Sequence, residues 1–375
     1  MADVYKRLAK KLDKLPQGFP ATESGVELKI LRKIFPPEDA EMALRIKPMP
    51  ETVERIAQRL GRPEDEMLAV LDGMADRGQI GSFKLKGKQR YALMPFVVGI
   101  FEFQLPRMDL ELAELCEEYA PHLATTLGGA GPPLARVVPV HRRLDSRATV
   151  LAYEDTRSMI EGARSFRVMD CICRTEKALQ GEPCSHTLEI CLAFSREEDA
   201  YEKSPVSGRT ITREEALDVL EKAEKEGLVH CTYNFEQDQM FVCNCCSCCC
   251  GFLRLLTEFE APNGLVRSNW EAVIEEEACE ECGVCADERC PVEAVAETDD
   301  GAYQVIGERC IGCGVCVVSC PTEAMQLVPR PESDRTTPPR NIVDWSVQRT
   351  ANRSGPLKAM ALRGWLAWQE RRLNA

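Results

Sequence analysis

The spacing of apolar residues predicts three helices and a β-hairpin within the first 95 residues. Apolar side chains recur every three or four positions over residues 27–35, 51–60 and 64–77. A proline or glycine directly follows each stretch, as is usual where a helix ends. Residues 79–93 then alternate between apolar and polar positions around Gly87-Lys88, which is typical of a hairpin. A basic amphipathic segment over residues 1–20 is expected to form a peripheral helix.

Three helices followed by a two-stranded wing resemble a winged-helix domain, which we assign to residues 1–95. In that fold one helix enters the major groove of DNA. Here the corresponding helix begins Glu64-Asp65-Glu66 and contains two further acids, and acidic side chains repel phosphate. The sequence therefore favours a packing or docking role over DNA binding, with a redox-responsive winged-helix regulator as the weakest alternative.

Residues 96–265 predict a mixed α/β domain. The pattern indicates a helix over residues 110–119 that carries Cys116 on its apolar face, where a cysteine acts as a core residue. Strands are predicted over residues 136–140 and 149–153. A further helix runs from Thr212 to the residue before Gly227, which suits a helix end.

The C-terminal residues 331–375 are expected to form a tail. Residues 331–355 are rich in Pro, Arg and Thr, which predicts an extended segment. Residues 356–374 show helical apolar spacing that includes Trp365 and Trp368, and they predict a terminal amphipathic helix. This helix either docks a partner or packs on its own domain, and the sequence leaves both interpretations open.

Cysteine bears on function more than any other residue type in this chain. Of 20 cysteines in 375 residues, all except one lie between positions 171 and 320. The N-terminus lacks the apolar core of a signal peptide, so we expect a cytoplasmic, reducing location where thiols do not rest as disulfides. Clustered cysteines there are metal ligands or redox groups. No apolar stretch approaches the ~18 residues of a membrane span.

The formal net charge of −13 is unevenly distributed. Residues 271–330 hold 14 acidic and 3 basic side chains, whereas residues 331–375 hold 4 acidic and 8 basic ones. An acidic chain is a poor nucleic-acid binder, because contacts to phosphate supply much of that affinity. The acids can instead steer a basic protein partner.

Two cysteine runs stand in tandem in the acidic segment. The first is C-x2-C-x2-C-x4-C-P from Cys279, and the second is C-x2-C-x2-C-x3-C-P from Cys310. Glycines at 283, 312 and 314 allow a tight loop around a cluster, and soft thiolate ligands suit iron–sulfur centres. These runs resemble those of bacterial two-[4Fe–4S] ferredoxins. We assign a ferredoxin-like dicluster domain to residues 266–330.

The resemblance implies two [4Fe–4S] clusters in which the fourth cysteine of each run binds the cluster of the other run. One cluster would be held by Cys279, Cys282, Cys285 and Cys320. The other would be held by Cys310, Cys313, Cys316 and Cys290. The additional residue before Cys290 leaves its geometry open. The fold class expected for the whole chain is α+β, with the winged-helix-like, mixed and ferredoxin-like domains in that order.

A second cysteine-rich module covers residues 171–251. It contains eleven cysteines, six of them within eight positions, and a single packing face cannot absorb six neighbouring side chains. They are therefore predicted metal ligands: Cys171, Cys173, Cys184, Cys191, Cys231, Cys243, Cys245, Cys246, Cys248, Cys249 and Cys250. One or two further iron–sulfur clusters, zinc, and redox-active thiols all stay open, and the spacing does not pair the ligands.

Three other residues in this module bear on its chemistry. Arg174 directly follows Cys173 and either donates a hydrogen bond to a cluster sulfide or forms a surface ion pair. His186 and His230 lie among the cysteines, and we expect both to be hydrogen-bonded structural residues more than ligands.

The combined pattern of CxCR, spaced cysteines and CNCCxCCC ahead of a dicluster domain resembles a group of 4Fe–4S proteins from anaerobes, over residues 136–325. This resemblance implies electron transfer. The leading hypothesis is a subunit that relays low-potential electrons to or from a partner oxidoreductase. The alternative is a redox enzyme with a catalytic cluster or reactive thiols within residues 171–250.

Overall fold

The computed structural model describes residues 3–140 and 151–374. The N-terminal part begins with five helices, namely α1 (Val4–Asp13), α2 (Val26–Ile34), α3 (Pro37–Ala43), α4 (Val53–Leu60) and α5 (Glu64–Asp76). The hairpin of β1 (Gly81–Leu85) and β2 (Lys88–Ala92) follows, with Leu85 opposite Lys88. Glu51 adds a short antiparallel bridge to Tyr91. Helix α3 was not predicted; it begins directly after Pro36, because proline is well tolerated in the first helical turn.

The N-terminal hydrophobic core extends beyond the predicted boundary at residue 95. After the short α6 (Phe101–Phe103), the long α7 (Leu110–Gly128) contributes Leu112, Cys116 and Tyr119 to that core. Cys116 is buried there, as its position on an apolar face predicts. One helix thus belongs to the N-terminal core and leads directly into the central sheet.

A seven-stranded sheet forms the centre of the molecule, in the order β6-β4-β5-β8-β7-β3-β9. All neighbours are antiparallel except β3 and β9. The strands are β3 (Ala135–Val138), β4 (Ser165–Asp170), β5 (Glu189–Ser195), β6 (Arg209–Ile211), β7 (Val229–Tyr233), β8 (Phe241–Cys245) and β9 (Leu265–Val266). The accompanying helices are α8 (Thr156–Glu161), α9 (Ile172–Leu179), α10 (Arg213–Lys225) and α11 (Gly251–Thr257).

Two sequence predictions for this region differ in outcome. The strand predicted over residues 149–153 lies partly outside the described residues, and Ala152–Glu154 form a single helical turn where the remainder was expected. The helix predicted from Thr212 is present as α10. Its first turn is fixed by a capping box, in which the side chains of Thr212 and Glu215 each accept a hydrogen bond from the backbone N–H of the other residue.

The following segment consists of two short antiparallel pairs around one helix. Strand β10 (Trp270–Ile274) pairs with β13 (Met325–Pro329), and β11 (Val295–Glu297) pairs with β12 (Tyr303–Val305). Helix α12 (Val315–Ser319) lies between β12 and β13 in sequence. The pairing of the first strand with the last brings the two cysteine runs together.

The C-terminal region ends in two helices, α13 (Ile342–Ser354) and α14 (Pro356–Asn374). The prediction that residues 331–355 are extended is therefore wrong for α13. Asn341 caps this helix by accepting hydrogen bonds from Val343 N and Asp344 N, both at 3.0 Å. The side chain of Trp345 is fully buried, and packing of that kind is not visible in the local composition.

Helix α14 is present as predicted, but its apolar side chains are not all covered. Ala359 and Leu366 are buried, whereas Leu357 and Met360 are 80% and 70% exposed. Among the helices described, none combines the length and the apolar character needed to cross a membrane.

The buried guanidinium of Arg349 in α13 connects the end of the chain to its beginning. It donates to the carbonyl oxygens of Pro16 at 2.9 Å, Thr126 at 3.0 Å and Leu127 at 3.1 Å. It also donates to Ala130 and, at 3.0 Å, to Pro132.

Candidate iron–sulfur and thiol sites

The eight cysteines of the two runs line two separate cavities, with four thiols in each. The first cavity is lined by Cys279, Cys282, Cys285 and Cys320. The second is lined by Cys310, Cys313, Cys316 and Cys290. Each cavity takes three thiols from one run and the last thiol of the other. This is the grouping that the ferredoxin resemblance implies.

The additional residue of the first run is absorbed by a wider helical turn. Residues 285–289 form this turn, in which Cys290 N donates to Cys285 O at 3.1 Å, five residues back. The equivalent part of the second run is the ordinary helix α12. Cys290 therefore still lines the second cavity.

The loops that carry the thiols need a left-handed backbone at four equivalent positions. Glycine occupies three of them, with φ of 74° at Gly283, 67° at Gly312 and 75° at Gly314. The fourth is Glu281, at 53°. Gly312 is the most confined, because a Cβ atom there would lie 2.1 Å from the carbonyl oxygen of Trp270.

Backbone N–H groups donate to Cys290 and Cys320, the two cysteines that each line the cavity of the other run. Ala294 N donates to Cys290 Sγ at 3.0 Å. Burial opposes ionisation of Cys320, but hydrogen bonds from Met325, Thr322 and Ala324 lower its pKa overall. Such donors stabilise a thiolate, which is the form that binds metal. The two cavities and their donors therefore fit iron–sulfur clusters.

Comparison with known proteins agrees with this geometry. Residues 303–326, which contain the second run, match the family described as 4Fe-4S binding domain. The chain carries a 4Fe–4S binding domain. The electron transport protein HydN of Escherichia coli K12 is 47% identical over 55 residues, which are 14% of this chain and 30% of HydN. HydN proteins of two other E. coli strains show the same identity and coverage. No solved structure was found to match this chain.

The two cavities of the 4Fe–4S region differ in exposure. Cys282 at the first cavity is exposed, whereas Cys310, Cys313 and Cys316 at the second are buried. Exposed carboxylates surround the first run, namely Glu275, Glu276, Glu277, Glu280, Glu281, Asp287 and Glu288. The first cavity thus faces solvent beside an acidic surface.

A buried cation lies beside the second cavity. The guanidinium of Arg330 donates to Cys310 O at 2.6 Å and to Ser268 O at 3.3 Å. It also pairs with the Glu271 carboxylate at 3.1 Å, and the Arg330 side chain is only 2% exposed. No motif in the sequence marks Arg330, because its position depends on the pairing of β10 with β13.

The eleven cysteines of the second module separate into two groups. The first comprises seven thiols, each of which interacts with at least one other of the group: Cys171, Cys173, Cys191, Cys231, Cys243, Cys245 and Cys250. Cys250 Sγ lies 3.0 Å from Cys245 Sγ. We call this group the seven-thiol centre.

The remaining four thiols lie at the edge of the module. Cys184 Sγ is 3.8 Å from Cys246 Sγ and 3.6 Å from Cys248 Sγ, and Cys248 Sγ is 3.5 Å from Cys249 Sγ. The imidazole of His186 joins them, with Nδ1 3.2 Å from Cys184 Sγ. Hydrogen bonding by Cys249, aided by the nearby Arg174 charge and opposed by burial, lowers the pKa of Cys246 to about 5.

Arg174 lies between the two thiol groups and is not a surface residue. Its side chain is 2% exposed, and it donates to Asn244 O at 3.1 Å and to Thr187 O. Burial works against its charge, yet the thiolates of Cys171 and Cys246 raise its pKa overall. Its burial does not suit the surface ion pair that the sequence leaves open.

The two histidines of the module differ. His230 is fully buried and its Nδ1 lies 2.6 Å from Asn244 Oδ1, which agrees with the predicted structural role. His186 instead points at the edge thiols. Two loops distant in sequence bring His186 close to Cys246 and Cys248.

The seven-thiol centre and the second cavity share one hydrophobic core. This core contains Cys231, Cys245 and Cys250 together with cysteines of the second run, and Val137, Val229 and Val315 fill the space around them. The sheet and the 4Fe–4S region are therefore continuous in their packing.

Proposed function

We propose that the chain is an electron-transfer protein that relays low-potential electrons to or from a partner oxidoreductase. The proposal rests on the division of eight cysteines into two equivalent four-thiol cavities. A [4Fe–4S] cluster in each, held by the ligand sets named above, would accept and release single electrons. The similarity to HydN, an electron transport protein, supports this role over the shared residues. We propose no catalytic role for the chain.

The order of the centres follows from their exposure. The solvent-facing first cavity would exchange electrons with a partner, and the buried second cavity would pass them to the seven-thiol centre, or the reverse. The seven grouped thiols exceed the four ligands of a single ion. They support a multinuclear centre, and we propose that it is a further iron–sulfur cluster.

The N-terminal helices and hairpin are proposed to serve packing and docking. The hairpin tip is engaged within the chain, because Lys86 N and Gly87 N donate to the Glu197 carboxylate at 2.8 and 3.2 Å. Glu64, Asp65 and Glu66 are exposed at the start of α5. These contacts and charges argue against DNA binding and thus against the regulator hypothesis.

The test is iron and acid-labile sulfide per chain, with electron paramagnetic resonance of the reduced protein, after anaerobic purification. About eight iron atoms would fill the two cavities, and twelve or more would include the seven-thiol centre. Cys282→Ser, Cys313→Ser and Cys191→Ser should each remove one centre, whereas Cys116→Ala in the N-terminal core should remove none. Unchanged iron in both Cys282→Ser and Cys313→Ser, or a wild-type protein without low-potential signals, would refute the proposal.

A further inference from the structure

We propose that Cys184, His186, Cys246 and Cys248 bind a single zinc ion that is separate from the iron–sulfur centres. One ligand atom from each of these residues lies within 4.8 Å of all the others. The ligands come as two matched pairs, each with one serine between its members. Cys184-Ser-His186 lies in the loop between α9 and β5, and Cys246-Ser-Cys248 follows β8. This inference does not depend on the proposed electron transfer.

The distances between the sulfur atoms suit one ion and not a cubane. Tetrahedral zinc with Zn–S bonds of about 2.3 Å places two sulfur ligands about 3.8 Å apart. Cys184 Sγ lies 3.8 Å from Cys246 Sγ and 3.6 Å from Cys248 Sγ. In a cubane each thiolate binds a different iron, so the thiolate sulfurs stand about 6 Å apart.

The donor set identifies the metal class. Three thiolates and one imidazole form a closed tetrahedral set of the kind that structural zinc uses. Cys249 is the one further thiol at this edge, and a multinuclear centre requires more than one. Cys249 Sγ lies 3.5 Å from Cys248 Sγ, which makes it the competitor of His186 for the fourth position.

The position of the site gives the ion a structural task. It would join the α9–β5 loop to the segment that follows β8, and that segment also supplies Cys245 and Cys250 to the seven-thiol centre. The loop is already held from the other side, because Thr187 N donates to the Glu226 carboxylate at 2.9 Å. Cys248 is exposed while Cys246 is buried, so the ion can enter from solvent. Zinc would thus close the outer edge of the module.

The experiment measures zinc and iron per chain by mass spectrometry on the full-length protein, purified anaerobically from cells supplied with both metals. We expect about one zinc per chain in the wild type. Cys248→Ser and His186→Ala should lower zinc at least about fivefold while iron is unchanged, and Cys249→Ser should leave both unchanged. A far-ultraviolet circular dichroism spectrum that matches the wild type shows that each variant has folded, whatever its iron content.

A second measurement uses cobalt in place of zinc. The visible bands of tetrahedral cobalt should appear in the wild type and shift in His186→Cys, because a fourth thiolate replaces the imidazole. A wild type without zinc, or loss of iron in Cys248→Ser, would overturn the site. Loss of zinc in Cys249→Ser but not in His186→Ala would overturn the assignment of His186. Failure of the electron-transfer proposal would appear in iron and spin signals and would leave these zinc results intact.

Discussion

Val140 N donates a hydrogen bond to Cys313 O at 3.0 Å. Val140 follows β3 of the central sheet, and Cys313 is the second of the four cysteines in the second run. The same contact brings Val140 O to 3.3 Å from the position that a Cβ atom would take at Gly314. The sheet therefore sets the backbone of the loop that lines the second cavity, and changes in that loop should report on both modules.

The left-handed positions of the cysteine loops give a matched pair of variants. In Gly312→Ala the new Cβ would meet Trp270 O at 2.1 Å and Ser268 Oγ at 2.2 Å, so we expect the second cavity to lose its cluster, about four iron atoms per chain. Glu281→Gly relieves a positive φ at an exposed site and should retain all iron with about 1 kcal/mol more stability. Iron analysis and anaerobic denaturation measure both. Full iron content in Gly312→Ala would contradict the prediction.

Arg330 should raise the reduction potential of the cluster in the second cavity. A cation that donates to Cys310 O stabilises the additional negative charge of the reduced cluster. Arg330→Met should therefore lower that potential by tens of millivolts, and Arg330→Lys should lower it less. Redox titration monitored by electron paramagnetic resonance measures the shift. Arg309→Met is the control, because Arg309 is 49% exposed in its ion pair with Glu293. Equal shifts in the control and in Arg330→Met would refute this role.

The acidic surface at the first cavity should accelerate encounter with a basic partner. Replacing Glu276, Glu277 and Glu280 by glutamine should lower the second-order rate of electron transfer to a cationic cytochrome c severalfold at low salt. At about 1 M salt, where charges are screened within about 3 Å, the rates should converge. The control neutralises Glu64, Asp65 and Glu66 on α5, which removes the same charge elsewhere. A rate loss that is equal in the control, or that persists at high salt, would exclude steering at this surface.

Glu176 on α9 should make stability depend on pH. Burial, with the nearby Glu117 charge, raises the pKa of Glu176 to about 8, and the cations Arg254 and Lys177 only partly oppose this. A raised pKa means that the fold favours the protonated carboxyl. The stabilising contribution of the protonated Glu176 carboxyl is full below about pH 4.5, and it is lost as pH rises through 8.

Glu176→Gln should therefore remove the loss of stability with rising pH. Above pH 8 the variant should be more stable than the wild type, on the order of 1–3 kcal/mol. Anaerobic chemical denaturation between pH 5 and 9 measures the difference. Glu114→Gln on the exposed side of α7 should leave the wild-type pH profile unchanged. A Glu176→Gln profile parallel to that of the wild type would contradict the assignment.

The cysteine loops were the most predictable part of the site, since cluster geometry imposes a fixed spacing and local glycines. The ferredoxin resemblance of the runs from Cys279 and Cys310 implies the same grouping of four thiols that lines each cavity. The left-handed Glu281 was not anticipated, because glutamate does not mark such a position. Arg330 was missed for a different reason: its partners lie on β-strands and loops far away in sequence.

The second module shows where sequence spacing stops being informative. Cys245 and Cys246 are neighbours in the chain, yet they belong to different thiol groups, because successive side chains leave a strand end in opposite directions. The division of the eleven thiols into two groups depends on β5, β8 and α9 meeting at one place. The helix α13 was missed similarly, since Trp345 and Arg349 acquire their buried surroundings from residues that lie more than a hundred positions away in sequence.

The contacts of Arg349 have a consequence for biosynthesis. The carbonyl groups of Pro16, Leu127 and Pro132 find this donor only after residue 349 has emerged from the ribosome, and every cysteine of the chain emerges before it. Proteins fold from the N-terminus during synthesis. The packing of the first half of this chain is therefore completed only when the hydrogen bonds of Arg349 form. Metal delivery to the nascent chain can thus precede final closure.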